Sequence, residues 1–252
     1  MTDAPRSGAE SGRRALDLLF AFEDHPVATV RTLAEHIDIP APSAHRYVAM
    51  LRDMGLIEEV DRGRYRLTMR VAALAQAARQ ATPLIDLVKP FMTSLADATQ
   101  ETVLLVQPVA GLMVCVQRLE TRRRVRLSFE VGQHMPPLRG ASAHLYVGSL
   151  PSTERRTYVE AMLARGEEPP VPGVEAFLAA AAASAERGWA VSSDEIDEGV
   201  WAAAAPLYDE RRFVGTLSVP APAFLVTPDR ADAIVAECRG AAKAISDALA
   251  GS

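Results

Sequence analysis

Apolar residues recur at helical spacing in three short stretches near the start of the chain. From Arg13 to Asp24, Leu16, Leu19, Phe20 and Phe22 form one stripe before His25-Pro26 stops the run, which predicts a first helix. Thr29 is a good N-cap for a second helix over Val30 to Ile37, with Leu33, Ala34 and Ile37 turned inward and Glu35 and His36 outward. After the break at Asp38-Ile39-Pro40, Pro42 fits a first helical turn. A third helix then runs from Ser43 to Met54, with Val48, Leu51 and Met54 inward, and Gly55 ends it. Two helices joined by a short turn, the second opening with the small residues Ala41, Pro42, Ser43 and Ala44, predict a helix-turn-helix that can lie close to a DNA major groove. Leu56 to Val60 and Tyr65 to Leu67 read as two strands around Asp61-Arg62-Gly63-Arg64, a hairpin with two arginines at its tip, which predicts a wing.

The pattern then changes. Met69 to Ala81 is rich in alanine, holds no glycine or proline, and predicts a tethering helix closed by Pro83. Leu84 to Thr99 predicts an amphipathic helix with Val88, Phe91, Met92 and Leu95 on one stripe. Thr102 to Pro108, Leu112 to Leu119 and Val125 to Val131 read as strands separated by Ala110-Gly111 and by the basic turn Arg122-Arg123-Arg124. Helices are expected over Gly140 to Leu150, Thr153 to Arg165 and Val174 to Arg187, a hairpin over Trp201 to Tyr208 and Phe213 to Val219 around Asp209 to Arg212, and a terminal helix over Asp229 to Leu249. Strands, then helices, then strands again predict an α+β domain with helices packed on an antiparallel sheet. The expected organisation is a winged helix-turn-helix domain at residues 10–68, mainly α with a β-hairpin, a linker helix at 69–82, and an effector-binding and oligomerisation domain at 83–252.

Composition adds a charge asymmetry. The 252 residues carry 27 basic and 32 acidic side chains and are 49% hydrophobic, as expected of a soluble folded chain. Residues 1–80 hold 11 arginines and 11 acids, so the net charge of −5 belongs wholly to the rest. Arg46, Arg52, Arg62, Arg64, Arg66 and Arg70 nevertheless crowd into one stretch, which predicts a local basic surface. Phosphate contact is the expected role of Arg46, Arg62 and Arg64, and Ser43, His45 and Tyr47 are expected to reach base edges or phosphates. Thr29, Ala41 and Ala44 complete the expected DNA-facing set. The plainer alternatives are a solvated helix face, or a pair with Asp53 or Glu58, for Arg46, and an ordinary polar turn for Arg62 and Arg64. A solvated turn is also the favoured reading of the four arginines within Arg122 to Arg126, over a second nucleic-acid surface.

Little else suggests chemistry. Cys115 and Cys238 give neither a disulfide framework nor a zinc spacing, which fits a reducing cytoplasm. Met1 to Gly12 does not read as a signal peptide, and no apolar run is long enough to span a bilayer. His134 and His144 with Cys115 lack metal-ligand spacing. The chain holds no GxSxG, HExxH, P-loop or dinucleotide fingerprint, and Asp194, Glu195, Asp197 and Glu198 read as one polar surface loop. The expectation is no enzyme, no cofactor and no metal.

One segment does predict a ligand site. Met135 to Gly140 runs straight into the helix beginning near Ala141, so the free amides of Ser142, Ala143 and His144 point out of the helix end, where a carboxylate is favoured. Leu127, Phe129, Met135 and Val200 are candidate apolar walls, each with plain core as its alternative role.

The order and spacing of Arg14-Ala15-Leu16-Asp17-Leu18-Leu19, Leu33-Ala34-Glu35, Ile39-Pro40, His45-Arg46-Tyr47 and Gly63-Arg64-Tyr65-Arg66-Leu67 resemble the IclR family of bacterial transcription regulators. The resemblance continues in Glu101-Thr102-Val103, Gly188-Trp189-Ala190-Val191, the run from Glu198 to Leu207 and Leu217-Ser218-Val219, and so spans residues 13–245. It implies a ligand-responsive, sequence-specific DNA-binding regulator with a GAF-like effector domain, acting as a homodimer or tetramer on a palindromic operator. It also implies a small carboxylic acid effector held by Ser142, Ala143, Ser192, Ala202, Ser218 and Pro220, beside the helix start, the loop after Trp189 and the final hairpin. Ser192 and Ala202 stand where family members that bind small oxo-acids usually have aspartate and cysteine, His144 and Leu145 where a glycine and a lysine usually follow the helix start, and Pro220 where a serine is common. These departures predict a less polar pocket suited to an aromatic acid. The rival reading is a metabolite-binding signalling adaptor that uses its winged helix for protein contact, without DNA.

Overall fold

The computed structural model describes residues 4–80, 83–121, 123, 127, 129–170 and 172–251. The chain divides into two compact units, 1–83 and 84–252.

In the first unit, α1 (Ala4–Phe20) is followed by β1 (Ala28–Thr29), α2 (Val30–His36), α3 (Ala41–Asp53), the hairpin β2 (Ile57–Asp61) and β3 (Arg64–Leu67), and α4 (Met69–Gln80). Thr29 caps α2 by accepting from the Thr32 amide at 3.1 Å, and Pro42 sits in the first turn of α3, where its missing N–H costs no helical bond. Leu18, Phe22, Leu33, Val48, Leu51 and Ile57 make the core. The first helix begins nearer the N-terminus than the sequence predicts and ends at Phe20. Its inward stripe is displaced, because Ala15 and Leu18 are buried whereas Leu16 and Phe20 are more than half exposed. Met54, expected inward, is likewise half exposed. The two-residue strand β1 has no sequence signal of its own. It pairs Ala28 with Tyr65 and Thr29 with Arg64, so the wing is one part of a three-stranded sheet of order β1-β3-β2 among the described residues. The expected linker helix α4 is tied at its start to the end of α3, where Arg70 Nη1 donates to the Met54 carbonyl at 2.7 Å.

In the second unit, α5 (Pro83–Thr99) leads into β4 (Val103–Val109), β5 (Leu112–Leu119) and the short β6 (His134–Met135). Three helices follow, α6 (Ala141–Ser149), α7 (Ser152–Ala164) and α8 (Val174–Arg187), and then β7 (Ala190–Ser193), β8 (Val200–Asp209), β9 (Arg212–Pro222) and α9 (Pro228–Ala250). The described strands form one antiparallel six-stranded sheet of order β6-β5-β4-β9-β8-β7. Alternation along the strands divides its faces. Leu105, Ala203, Ala205, Leu217 and Val219 pack with Val88, Met92, Ile234, Cys238 and Ile245 of α5 and α9. On the other face Ala204 packs against Ala141 and Leu145 of α6.

Two expectations need correction. The loop expected after Trp189 is strand β7. The strand expected from Val125 to Val131 is absent at Leu127 and at residues 129–131, which are irregular, and its other residues lie outside the described set, as do Arg122, Arg124 and Arg126 of the basic turn. Arg123 pairs with the buried Glu101 at 3.3 Å instead of standing in solvent alone. No described helix is long and apolar enough to cross a membrane.

Helices α6 and α8 approach so closely that a Cβ on Gly148 would lie 2.2 Å from the carbonyl oxygen of Ala181. Gly148→Ala is therefore expected to destabilise the protein by about 1–3 kcal/mol through overpacking. Denaturant unfolding checks this, and an unchanged midpoint would show that the two helices part freely.

Candidate functional site

The arginine-bearing face of the first unit is built by α3 and the wing. Ala41, His45 and Arg46 on α3, Thr29 on β1, and Arg62 and Arg64 at the hairpin are exposed, and Ser43 is partly so. Ala44 and Tyr47 are not, contrary to expectation: both are buried in the core. Helical spacing turns them to the same side as Val48 and Leu51. The Tyr47 hydroxyl is 3.2 Å from Ser11 Oγ, and the Arg46 guanidinium lies over the Tyr47 ring, 5.2 Å from its centre. Bonding to Ser11, and then to Arg46, lowers the Tyr47 pKa below its ordinary value.

Charge pairing sorts the arginines. Arg66 donates to Glu58 at 2.8 Å and Arg31 pairs with Glu35, whereas among the described residues Arg46, Arg62 and Arg64 form no ion pair. The acids of the wing are partly used by its own turn, with Asp61 Oδ1 accepting from the Arg62 amide and Glu59 Oε1 from the Gly63 amide. The cations left over can serve phosphate oxygens.

The candidate ligand site lies in the second unit, at the start of α6. The sheet face below it is set by register: Leu104 lies opposite Ser218, and Ser192, Ala202 and Pro220 form a row across β7, β8 and β9. A small, partly open cavity of about 20 Å³ lies there. Of the expected effector residues, Phe129, Met135, Ser142, Ala143, Val200, Ala202, Ser218 and Pro220 line it; Leu127, His144 and Ser192 do not. It has room for about one water molecule, so the flat space for a ring expected between these walls is absent.

The helix end is already occupied from within. Its N-cap is Gly140, at φ 89°, with no side chain to cap the amides. Glu195 Oε2 accepts from the Gly140 amide at 2.9 Å and lies 3.2 Å from His144 Nε2, and Ser192 Oγ accepts from the Ala141 amide at 3.1 Å. Among the described residues no acceptor meets the amides of Ser142 and Ala143, two residues that line the cavity. The Ser142 hydroxyl is taken by Thr216 at 2.8 Å, and the Ser218 hydroxyl donates to the Ala203 carbonyl. His144 is thus a cap-assisting side chain with its ring against Phe177, buried away from the cavity.

Glu195 is the residue that sequence reasoning missed. It was expected in a polar surface loop with Asp194, Asp197 and Glu198, yet its side chain is only 21% exposed. Burial pushes its carboxyl pKa up, but His144 and the Gly140 amide outweigh this and hold it below the ordinary carboxylate value. Ile196 beside it closes over Gly140, where an added Cβ would meet its Cδ1 at 2.7 Å. The only hint in the sequence is an isoleucine inside an acidic run. Arg139, between Leu138 and Gly140, was also missed. It lines the small cavity and also a second, open pocket of about 290 Å³.

Burial raises the Cys115 thiol to about 11 and the Cys238 thiol to about 12, so neither is a ready nucleophile. Among the described residues no group of three His, Cys, Asp or Glu side chains is placed to hold a metal ion.

Glu195→Gln is expected to cost about 1–3 kcal/mol of stability at neutral pH, since an ionised acceptor at a helix end is replaced by a neutral one. Because the folded carboxyl pKa is lowered, that contribution is complete above the unfolded value of about 4.3 and is lost as pH falls through the folded value. Unfolding of both proteins at neutral pH and near pH 3 checks this; a difference that does not shrink in acid would refute the charge assignment.

Comparison with known proteins agrees with the two-part architecture. Residues 76–247 match the family model described as bacterial transcriptional regulator IclR C-terminal, and residues 13–61 match the IclR helix-turn-helix domain. The chain is 26% identical to the HTH-type transcriptional regulator KipR of Bacillus subtilis over 236 residues, covering 92% of this chain and 94% of that protein. Among solved structures it is similar to an IclR transcriptional regulator from Alicyclobacillus acidocaldarius, with a TM-score of 0.81 at 18% identity over 96% of this chain and 99% of the other. It is also similar to an IclR homologue from Microbacterium hydrocarbonoxydans complexed with 4-hydroxybenzoate, with a TM-score of 0.77 at 22% identity, covering 96% of this chain and 100% of the other. With a helix-turn-helix before it and a family model over more than half its length, the chain belongs to the IclR family of bacterial transcription regulators.

Proposed function

We propose that this ligand-responsive, DNA-binding regulator works in the cytoplasm as a homodimer or tetramer on a palindromic operator, and that its effector is a small organic acid. One half-site module holds DNA weakly, so paired modules reading half-sites about one or more helical turns apart are the geometry that gives useful affinity. Thr29, Ala41, Ser43, His45, Arg46, Arg62 and Arg64 form the DNA-facing set, with the unpaired arginines as phosphate contacts. Ala44 and Tyr47 support that face from beneath.

The observation that carries the effector assignment is the small cavity at the start of α6, where the amides of two buried residues, Ser142 and Ala143, lack an acceptor among the described residues. Buried amides are nearly always paired, and an unpaired couple beside a cavity calls for an acceptor from outside the chain. The Microbacterium neighbour's 4-hydroxybenzoate supports an aromatic acid as the first class to test. The mechanism is linkage: a ligand that favours one arrangement of the assembly shifts its population, and DNA affinity shifts by the same coupling factor. No catalytic step is assigned, and no cofactor is required.

DNA affinity is expected to fall steeply with salt. Arg62→Ala and Arg64→Ala are each expected to reduce the slope of log affinity against log salt by about 1, and Arg66→Ala, whose guanidinium is held by Glu58, by clearly less. Titration of operator DNA at several salt concentrations measures this, and equal slopes for all the proteins would remove the wing from the interface. An acid effector present at 100 times its dissociation constant is expected to stabilise the protein by about 2.7 kcal/mol. A thermal-shift series with acetate, pyruvate, benzoate and 4-hydroxybenzoate tests it; no shift with any acid would overturn the effector assignment.

A further inference from the structure

An acid effector needs a group in the protein to receive its negative charge. The start of α6 would ordinarily do so, yet the Glu195 carboxylate already sits there, on the Gly140 amide and against His144. A second carboxylate in the adjoining cavity would face that charge across a buried space, and the cavity holds about 20 Å³. The inner site is therefore poor for an anion and suited to one small uncharged acceptor, which the Ser142 and Ala143 amides can serve.

Next to it lies a pocket of about 290 Å³, open to solvent, with Leu112, Met135, Pro136, Pro137 and Leu138 on one side and His134, Arg139, Glu167 and Glu168 on the other. It has the room for a ring that the inner cavity, at about 20 Å³, lacks. Met135 and Arg139 border both spaces. Among the described residues lining either space, Arg139 is the one arginine or lysine; the other ionisable groups on these walls are His134, Glu167 and Glu168. In this structure Arg139 pairs with Glu168, whose side chain is 70% exposed whereas that of Arg139 is 21% exposed. An ion pair with one end in solvent is weak, and a guanidinium binds a carboxylate through two parallel bonds.

We propose that Arg139 determines specificity: it exchanges the Glu168 carboxylate for that of the effector, whose apolar body lies in the outer pocket while an uncharged tip no larger than a hydroxyl enters the inner cavity. This rests on the acid-sensing reading above and reverses the ligand orientation that the helix end alone suggests. Without Arg139, Glu167 and Glu168 would repel an anion, so the exchange itself makes the pocket selective for acids over their amides.

The test is calorimetric titration of the full-length protein with benzoate and, as the uncharged control, benzamide. Benzoate is expected to bind the native protein at least about tenfold more tightly than benzamide, and Arg139→Gln to weaken benzoate about tenfold without affecting benzamide. Arg139→Lys is expected to recover part of the loss, and Glu168→Gln to tighten benzoate about threefold by removing the competing carboxylate. Glu168→Gln reads the exchange independently should Arg139→Gln fail to fold. Benzoate affinity unchanged in Arg139→Gln, or tightened strongly by Glu195→Gln alone, would place the carboxylate at the helix end and overturn the proposal while acid sensing stands. Binding of neither probe to the native protein would overturn it as well; if acetate, pyruvate and 4-hydroxybenzoate then also gave no thermal shift, acid sensing would fall with it.

Discussion

A helix that begins inside a domain with glycine at its N-cap has no side chain of its own to satisfy its first amides, and the second unit is organised around that deficit. Gly140 is required at φ 89° and because Ile196 fills the space where a side chain would stand. The missing acceptors must then come from elsewhere in the chain, and they come from β7 and the turn after it: Ser192 and Glu195. That turn is held in place by its own bonds, with Asp194 accepting from Ser193 and from the Gly199 amide. The Asp194 carboxyl is accordingly held below its usual pKa by those bonds. So one distant segment caps the helix and closes the cavity, and the cavity is confined to the two amides the segment does not reach.

Much of this architecture is written in the chain. The helix over Val174–Arg187, the strand over Leu112–Leu119 and the N-cap role of Thr29 follow from spacing and capping, because each is decided by neighbours in sequence. The sheet faces are less legible, since β4, β8 and β9 read as continuous apolar runs; it is the pairing register that brings Ser218, Ala202 and Pro220 together with Leu104. What sequence could not show depends on distant partners. Tyr47 looks like a groove-reading side chain until the packing of α1 puts Ser11 over its hydroxyl. Leu16 and Phe20 look like core until Leu18 and Phe22 take that side. Glu195 is one acid in a run of four until the bare helix end 55 residues away draws it inward. For Tyr47 and Glu195 the side chain's role is set by a contact distant in the chain, whereas at Leu16 and Phe20 the inward stripe is shifted within one short segment.

The two units handle charge in opposite ways, and this bears on how an acidic protein serves DNA. In the second unit two of the more buried carboxylates are matched: Glu101 by Arg230 and Arg123, Glu195 by His144 and an amide. Matching is what burial demands, because a lone carboxylate in the interior is costly. In the first unit Arg46, Arg62 and Arg64 have no carboxylate partner among the described residues and lie on an exposed face, where this costs little. At physiological ionic strength a charge is screened over about 8 Å, so the local surplus of cations on that face, and not the net charge of −5, decides what a phosphate meets there.

Linkage then limits what an effector can do. A ligand alters DNA affinity only to the extent that its own affinity differs between the two arrangements of the assembly, and DNA must alter ligand affinity equally. A ligand that filled a rigid, preformed cavity equally well in both would bind and change nothing. The inner cavity here holds only about 20 Å³, and the pocket beside it is bordered by the Arg139–Glu168 ion pair. An effector carboxylate held by Arg139, as proposed, would have to open that pair, and a movement of this kind is the differential interaction a sensor needs.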